Sequence, residues 1–164
     1  GVAVLERHIQ VRQHQAFGHQ GNDVVHARVG VDVVQAHPGA VGLGDLAEKM
    51  GIKLLELSAE RAVATMPVVG NTQPLGVLHG GAHVVLGESL GSFAANVWAY
   101  PDKFAVGIEV NASHSRSVTE GIVTATCEAI NLGKTITVHQ ISIRDEAGKL
   151  LSTVRITNYL RERN

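Results

Sequence analysis

The sequence predicts an α+β fold, an antiparallel sheet of five or six strands curled around one long helix. Three observations carry this prediction. Residues 80–99 form the one long helical pattern of the chain, and Glu88 is the single charge inside it. Four strand-like runs follow, at 104–117, 121–130, 135–144 and 150–159, parted by breaks too short for parallel crossovers. Two more runs, at 52–57 and 61–68, precede the helix around a turn near 58–60.

Taken in order, residues 1–40 stand apart. They hold five of the nine histidines, at 8, 14, 19, 26 and 37, and no lysine, and no helix or strand period persists through them. They read as an atypical, poorly ordered extension, with the folded domain spanning 41–164. Those histidines lack metal-ligand spacing and cysteine partners. Gly42, Gly44 and Ala47 imitate a dinucleotide fingerprint, but no buried strand precedes them and no strand–helix alternation follows. Residues 43–50 read instead as a short helix, with Asp45 near its start and Lys49 near its end to suit the helix dipole. A polar link containing Pro74 follows the first two strands.

In the long helix Ala82, Leu86, Leu90, Phe93 and Val97 fall on one face, while Val84, Val85, Ala94, Ala95 and Trp98 make the other faces apolar too. A helix apolar all round is expected to be buried all round. At 1.5 Å per residue it would be roughly 30 Å long. A buried, unpaired carboxylate at Glu88 would be costly, so its presence asks for a functional reason. The breaks at 119–121, 131–133 and 145–148 are each expected to close an antiparallel hairpin.

Composition narrows the function. A chain of 164 residues, 45% hydrophobic, fits one domain with a proper core. Charged residues make up 18%, below the usual share of roughly 25%, which hints at surface hidden in an oligomer. A net charge of −1 does not suit nucleic-acid binding. The lone Cys127 excludes an intramolecular disulfide and sits in a strand pattern, as a buried structural thiol would. Apolar stretches fall far short of the roughly 20 residues of a membrane span. Glu6, Arg7 and His8 interrupt any secretory leader in the opening residues. A soluble cytoplasmic protein, with no membrane and no nucleic acid among its partners, is expected.

The run Gln73-Pro-Leu-Gly-Val-Leu-His79-Gly80-Gly81-Ala82, followed by Glu88-Ser-Leu-Gly-Ser92, resembles the hotdog-fold acyl-CoA thioesterases. It looks closest to the branch containing 4-hydroxybenzoyl-CoA, phenylacetyl-CoA and 1,4-dihydroxy-2-naphthoyl-CoA thioesterases. Val106-Gly-Ile-Glu-Val-Asn111-Ala-Ser-His114-Ser-Arg116 and Asn131-Leu-Gly133-Lys134-Thr135 fit the same pattern, and the resemblance spans roughly residues 45–160.

The resemblance implies hydrolysis of an aromatic or small acyl-CoA to free acid and coenzyme A. No cofactor is needed, since coenzyme A is part of the substrate. A thioester carbonyl attacked by oxygen gathers negative charge, and backbone N–H groups at a helix N-terminus stabilise such charge. By resemblance the Gly80 N–H polarises the carbonyl, Gln73 helps orient it and His79 lies beside it. Glu88 is either the nucleophile or the base that activates water. Ser92, one turn beyond, could orient the water or the carboxylate. His114, Arg116, Gly133, Lys134 and Thr135 lie in segments that contact the nucleotide part of coenzyme A in that family.

Gly80 and Glu88 are eight residues, or about 12 Å, apart along one helix. A reacting carbonyl must sit within about 3 Å of both its attacking group and its oxyanion donor. A dimer in which Gly80 of one chain faces Glu88 of the other resolves this, and the family usually builds homotetramers from such dimers.

Other motifs are weaker. Gly87-Glu88-Ser89-Leu90-Gly91 spells G-x-S-x-G but lies inside a helical pattern, not at a strand–turn–helix elbow. Gly133-Lys134-Thr135 resembles the end of a phosphate loop, yet Glu128 stands where its first glycine belongs. His79 and His83 are four apart but lack a third metal ligand, and His83 is expected to be a partly exposed helix residue. The rival functions are a hotdog acyl-CoA hydratase or dehydratase and a non-catalytic acyl-CoA-binding regulator.

Overall fold

The computed structural model describes residues 42–163. The extension assigned to residues 1–40, with its five histidines, lies outside them. A short helix α1 (Asp45–Lys49) is followed by β1 (Lys53–Leu57), β2 (Arg61–Pro67), α2 (Gly80–Ala99), β3 (Lys103–His114), β4 (Ile122–Leu132), β5 (Ile136–Arg144) and β6 (Leu150–Glu162). All strand pairs are antiparallel, in one six-stranded sheet ordered β1-β2-β4-β5-β6-β3. This is the hotdog arrangement, one long helix packed against an antiparallel sheet.

The sequence expectation fails at the break between β3 and β4. These strands do not form a hairpin. β3 lies at the far edge beside β6, with Lys103 opposite Glu162 and His114 opposite Ser152, while β4 sits between β2 and β5. Residues 115–121 cross the end of the sheet instead. Ser115 and Arg116 N–H donate to Leu151 O, Val118 O accepts from Leu78 N–H, and Gly121 O accepts from Val68 N–H. Three strand spacings, about 15 Å, are within reach of seven extended residues. This crossing segment fastens the loop before α2 to the sheet end and so positions the start of the helix.

The core lies between α2 and the sheet face it packs on. Leu86, Leu90 and Ala94 of α2 pack with Met66, Val123, Ala125, Cys127, Ile141, Ile143, Val154 and Ile156. Cys127 is fully buried, and burial pushes its thiol up to about 12, which suits a structural residue. Gly87 and Gly91 let the helix lie close to the sheet. A Cβ at Gly87 would come within 2.7 Å of Val154 Cβ, and one at Gly91 would run into Ile156 Cγ2.

The helix is not buried all round. Ala82, Leu86 and Leu90 are buried as expected, but Phe93 and Val97 are half-buried, and the covered face turns through Gly87, Gly91 and Ala94. Glu88, in the middle of the helix, and Trp98, near its end, are exposed in the single chain. The sheet covers one side of α2 only, which the uniform apolar pattern hid. No helix among the described residues is long and apolar enough to cross a membrane.

Candidate active site

The loop before α2 is held by Asn71. Its Nδ2 donates to Met50 O at 2.8 Å and Pro67 O at 2.9 Å, and its carbonyl accepts from His79 N–H at 2.9 Å. Between them Gln73 and Gly76 close a turn. Gly76 N–H donates to Gln73 O and Gln73 N–H to Val77 O, both at 2.8 Å, with Gly76 in the left-handed region at φ 76°. Gln73 is half-buried in this turn.

His79 is the N-cap of α2, and its Nδ1 accepts from Gly81 N–H at 2.8 Å. Of the two glycine amides, Gly81 is thus occupied. The Gly80 N–H has no acceptor among the described residues. It stands at the positive end of a 20-residue helix, where an anion or a developing oxyanion is favoured.

His114 lies over Gly80. A Cβ built at residue 80 would fall 2.9 Å from His114 Nε2, so the ring occupies the space a side chain would need. His114 Nδ1 is 2.9 Å from Ser152 Oγ, whose single proton goes to Ser113 O at 3.2 Å. Ser152 therefore accepts from Nδ1–H, which directs Nε2 toward Gly80. His83 packs behind it, ring centroids 5.3 Å apart. Contrary to expectation, His83 is buried, at 3% exposure, because β3 brings His114 across the first turn of α2. Burial, and after it His114, lowers its pKa to about 4.

Glu88 and Ser92 project from the middle of α2. Glu88 is exposed here rather than buried, because the edge of the sheet only borders this flank of the helix in the single chain. Its Oε1 faces β3, 3.7 Å from where a Cβ of Gly107 would be. The ladder between β3 and β6 shifts register between Gly107 and Glu109, an irregularity that commonly re-aims groups beside active sites. Ser92 Oγ is 3.5 Å from Oδ1 of the fully buried Asn158.

Within one chain, then, the fold brings Gln73, His79, Gly80 and His114 to the N-terminal end of α2. Glu88 and Ser92 lie along the helix, Glu88 about 12 Å beyond Gly80 by helical rise. The five residues read as nucleotide contacts are split. His114 and Arg116 lie beside Leu150 and Leu151, where Arg116 Nη1 donates to Leu150 O. Gly133, Lys134 and Thr135 lie at the other end of β5, where Trp98 Nε1 donates to Gly133 O and Lys103 Nζ to Lys134 O. Nine residues of β5 separate the two groups by about 30 Å.

Arg116 borders a cleft of about 600 Å³ with Ser117, Asp145, Lys149 and Leu151. Lys149 adds a second cation there that the sequence pattern did not single out, since only strand pairing brings the 145–149 turn to the crossing segment. Asn158 was missed likewise: alternation predicts an inward residue, not its meeting with Ser92. No group of three or more metal-ligating side chains occurs among the described residues.

Comparison with known proteins places these features in a family. The profile of the Thioesterase superfamily matches residues 75–152. The 1,4-dihydroxy-2-naphthoyl-CoA hydrolase of Escherichia coli is 42% identical over 119 residues, covering 72% of this chain and 88% of that one. The proofreading thioesterase EntH of Cronobacter turicensis is 40% identical over 119 residues, 72% of this chain and 87% of its own. Among solved structures, a mutant thioesterase of Pseudomonas aeruginosa superposes with a TM-score of 0.73 at 36% identity, covering 83% of this chain and 98% of that chain. A thioesterase of Haemophilus influenzae superposes with a TM-score of 0.69 at 40% identity, covering 73% and 84%.

Proposed function

The chain belongs to the thioesterase superfamily and hydrolyses acyl-CoA-type thioesters; from that premise we propose that Gly80 of one chain and Glu88 of a second act on one carbonyl, that of an aromatic acyl-CoA. The Gly80 N–H donates to the carbonyl oxygen and holds the charge that develops as the tetrahedral centre forms. Glu88 takes the proton from the attacking water, and collapse of that centre breaks the C–S bond and releases the coenzyme A thiolate. Gln73 and His79 border the carbonyl. The observation that carries this reading is one free amide, at Gly80, on the same helix as an exposed carboxylate, at Glu88.

For Gly80 of one copy to meet Glu88 of the other, the two α2 helices run in opposite directions. The C-terminal end of one helix then lies beside the N-terminal end of its neighbour. That arrangement brings Gly133, Lys134 and Thr135 of the second copy toward Arg116 and Lys149 of the first, a mixed cationic rim suited to the phosphates of coenzyme A. The aromatic acyl class follows the relative that acts on 1,4-dihydroxy-2-naphthoyl-CoA.

The test is thiol release from a panel of aromatic, short and medium acyl-CoAs, with the native chain and Glu88→Ala. The native chain is expected to turn over aromatic members fastest, and Glu88→Ala to lose about 10²- to 10⁴-fold in kcat. Release that survives Glu88→Ala unchanged would remove Glu88 from the reaction. A panel without thiol release would overturn the assignment altogether.

A further inference from the structure

Resting on that reading of the substrate, we propose that Trp98 is a stacking platform for the adenine of coenzyme A, with Lys134 beside it for the nucleotide's phosphates. The chain holds six aromatic residues, three Phe, two Tyr and one Trp. Five of them, Phe93, Trp98, Tyr100, Phe104 and Tyr159, gather at the C-terminal end of α2 and the strand ends beside it. Two of these rings already hold cations, Tyr100 under Arg163 at 5.6 Å and Phe104 under Arg161 at 5.7 Å. Trp98 is held differently. It stands in the last turn of α2, 41% exposed, and its Nε1 donates to Gly133 O at 2.9 Å. The one polar atom of the indole is thereby satisfied and the ring is fixed, while apolar surface stays open. A ring already fixed loses little freedom when a planar base settles on it.

The turn that ties Trp98 is fixed as well. Gly133 N–H donates to Ile136 O at 3.0 Å, and a Cβ at Gly133 would lie 2.7 Å from that same oxygen, so any side chain there would displace the turn. Lys103 Nζ donates to Lys134 O and pairs with Glu162 Oε1, both at 3.0 Å. Trp98 and Lys103 thus hold consecutive carbonyls of one turn. The Lys134 side chain is exposed and makes no ion pair among the described residues. An open indole with a cation one residue from its anchor suits a base that carries phosphate. In an acyl-CoA only the nucleotide end is both planar and anionic. The reach is also right. Trp98 stands ten residues, about 15 Å, beyond Glu88 along α2. The pantetheine arm from sulfur to diphosphate has about as many bonds as four extended residues and spans about 15 Å. A thioester at Glu88 therefore carries its nucleotide to the Trp98 end of the same chain. Such a platform selects acyl-CoA over the same acyl group on a pantetheine arm without the nucleotide.

Trp98 is the only tryptophan of the chain, so tryptophan emission reports this ring directly. Adenosine 3′,5′-bisphosphate, a nucleotide fragment of coenzyme A, is titrated into the full chain with pantetheine as the control. The nucleotide is expected to quench the emission saturably and pantetheine to leave it unchanged. Kinetics are compared for the native chain, Trp98→Leu and Trp98→Phe, on the best acyl-CoA of the panel and on the pantetheine thioester of the same acid. Trp98→Leu is expected to raise KM for the acyl-CoA about tenfold with kcat within twofold, and to leave KM for the pantetheine thioester unchanged. Trp98→Phe, which keeps a ring, is expected to recover part of the loss. An emission unmoved by the nucleotide would overturn the proposal, as would an equal rise in KM for both thioesters. A lower elution mass in Trp98→Leu would also overturn it, by making the ring a contact between copies. A native chain that releases no thiol defeats the earlier reading instead, and the emission titration then decides this inference by itself.

Discussion

The imidazole of His83 shows how far one residue's surroundings can depart from its place in a pattern. It lies in the first turn of α2, where a polar side chain is expected to face outward, and it is buried against His114 with Nδ1 unpartnered. Burial holds its pKa near 4, below the ordinary 6.5, so the folded chain keeps it neutral while the unfolded chain takes up a proton. Where the unfolded state binds more protons, stability falls with falling pH. His83 therefore costs stability progressively between about pH 6.5 and about pH 4. His139, fully buried on β5 with Nε2 against Ala59 O, is shifted downward by burial as well and adds to the same acid loss. Thermal unfolding followed from pH 7.5 to 4.5 is expected to show a smaller drop in Tm for His83→Gln than for the native chain. Equal slopes would mean that His83 titrates normally. The residues most legible beforehand were those bound by local spacing, His79, Gly80, Glu88 and Ser92, since one helix fixes them relative to one another. His83 and Asn158 were illegible because their partners come from strands whose order no local pattern encodes.

Helix α2 and its fit to the sheet set the next scale. Its extent, residues 80–99, was readable from the helical pattern, and so were the six strand runs. The side of the helix facing the sheet was less so, because apolar residues surround it and glycine contributes no hydrophobic signal. Yet Gly87 and Gly91 make the closest approach to β6. Replacing a solvent-exposed helix glycine by alanine stabilises by about 1 kcal/mol. At Gly87 the new methyl would lie 2.7 Å from Val154 Cβ, and overpacking of this kind costs about 1–3 kcal/mol. The second effect wins, so Gly87→Ala is expected to lower the urea midpoint with its slope unchanged. Adding Val154→Ala should relieve part of the strain, giving a non-additive pair in a double-mutant cycle. Strand order was the other loss at this scale. A short break reads as a hairpin, and only the long-range bonds of residues 115–121 to Leu78, Val68 and Leu151 send β3 to the far edge.

At the scale of the whole molecule, one chain presents the parts of the proposed site without joining them. Gly80 and Glu88 stand about 12 Å apart on one helix, and the candidate phosphate contacts lie at opposite ends of the sheet. Shared sites predict complementation. Gln73→Ala and Glu88→Ala, each inactive alone, should recover about a quarter of native activity when mixed under exchanging conditions, since half the dimers are mixed and each mixed dimer holds one intact site. No recovery despite proven exchange would place both groups in one chain's site. Composition hinted at an oligomer through its low charge, but a single sequence carries no register between two copies.

The pairing of β3 with β6 has a bearing on synthesis. From His114 opposite Ser152 to Lys103 opposite Glu162, the partner of every β3 residue is translated later, and the separation widens toward the strand's own beginning. A nascent chain that has completed α2 and β3 therefore has no native neighbour for that edge until residues 152–162 leave the ribosome. Through this interval the long ladder's backbone groups and the apolar helix beside them stay open to foreign strands. Early release of the chain before that point would thus yield a sticky fragment, a natural client for holding chaperones.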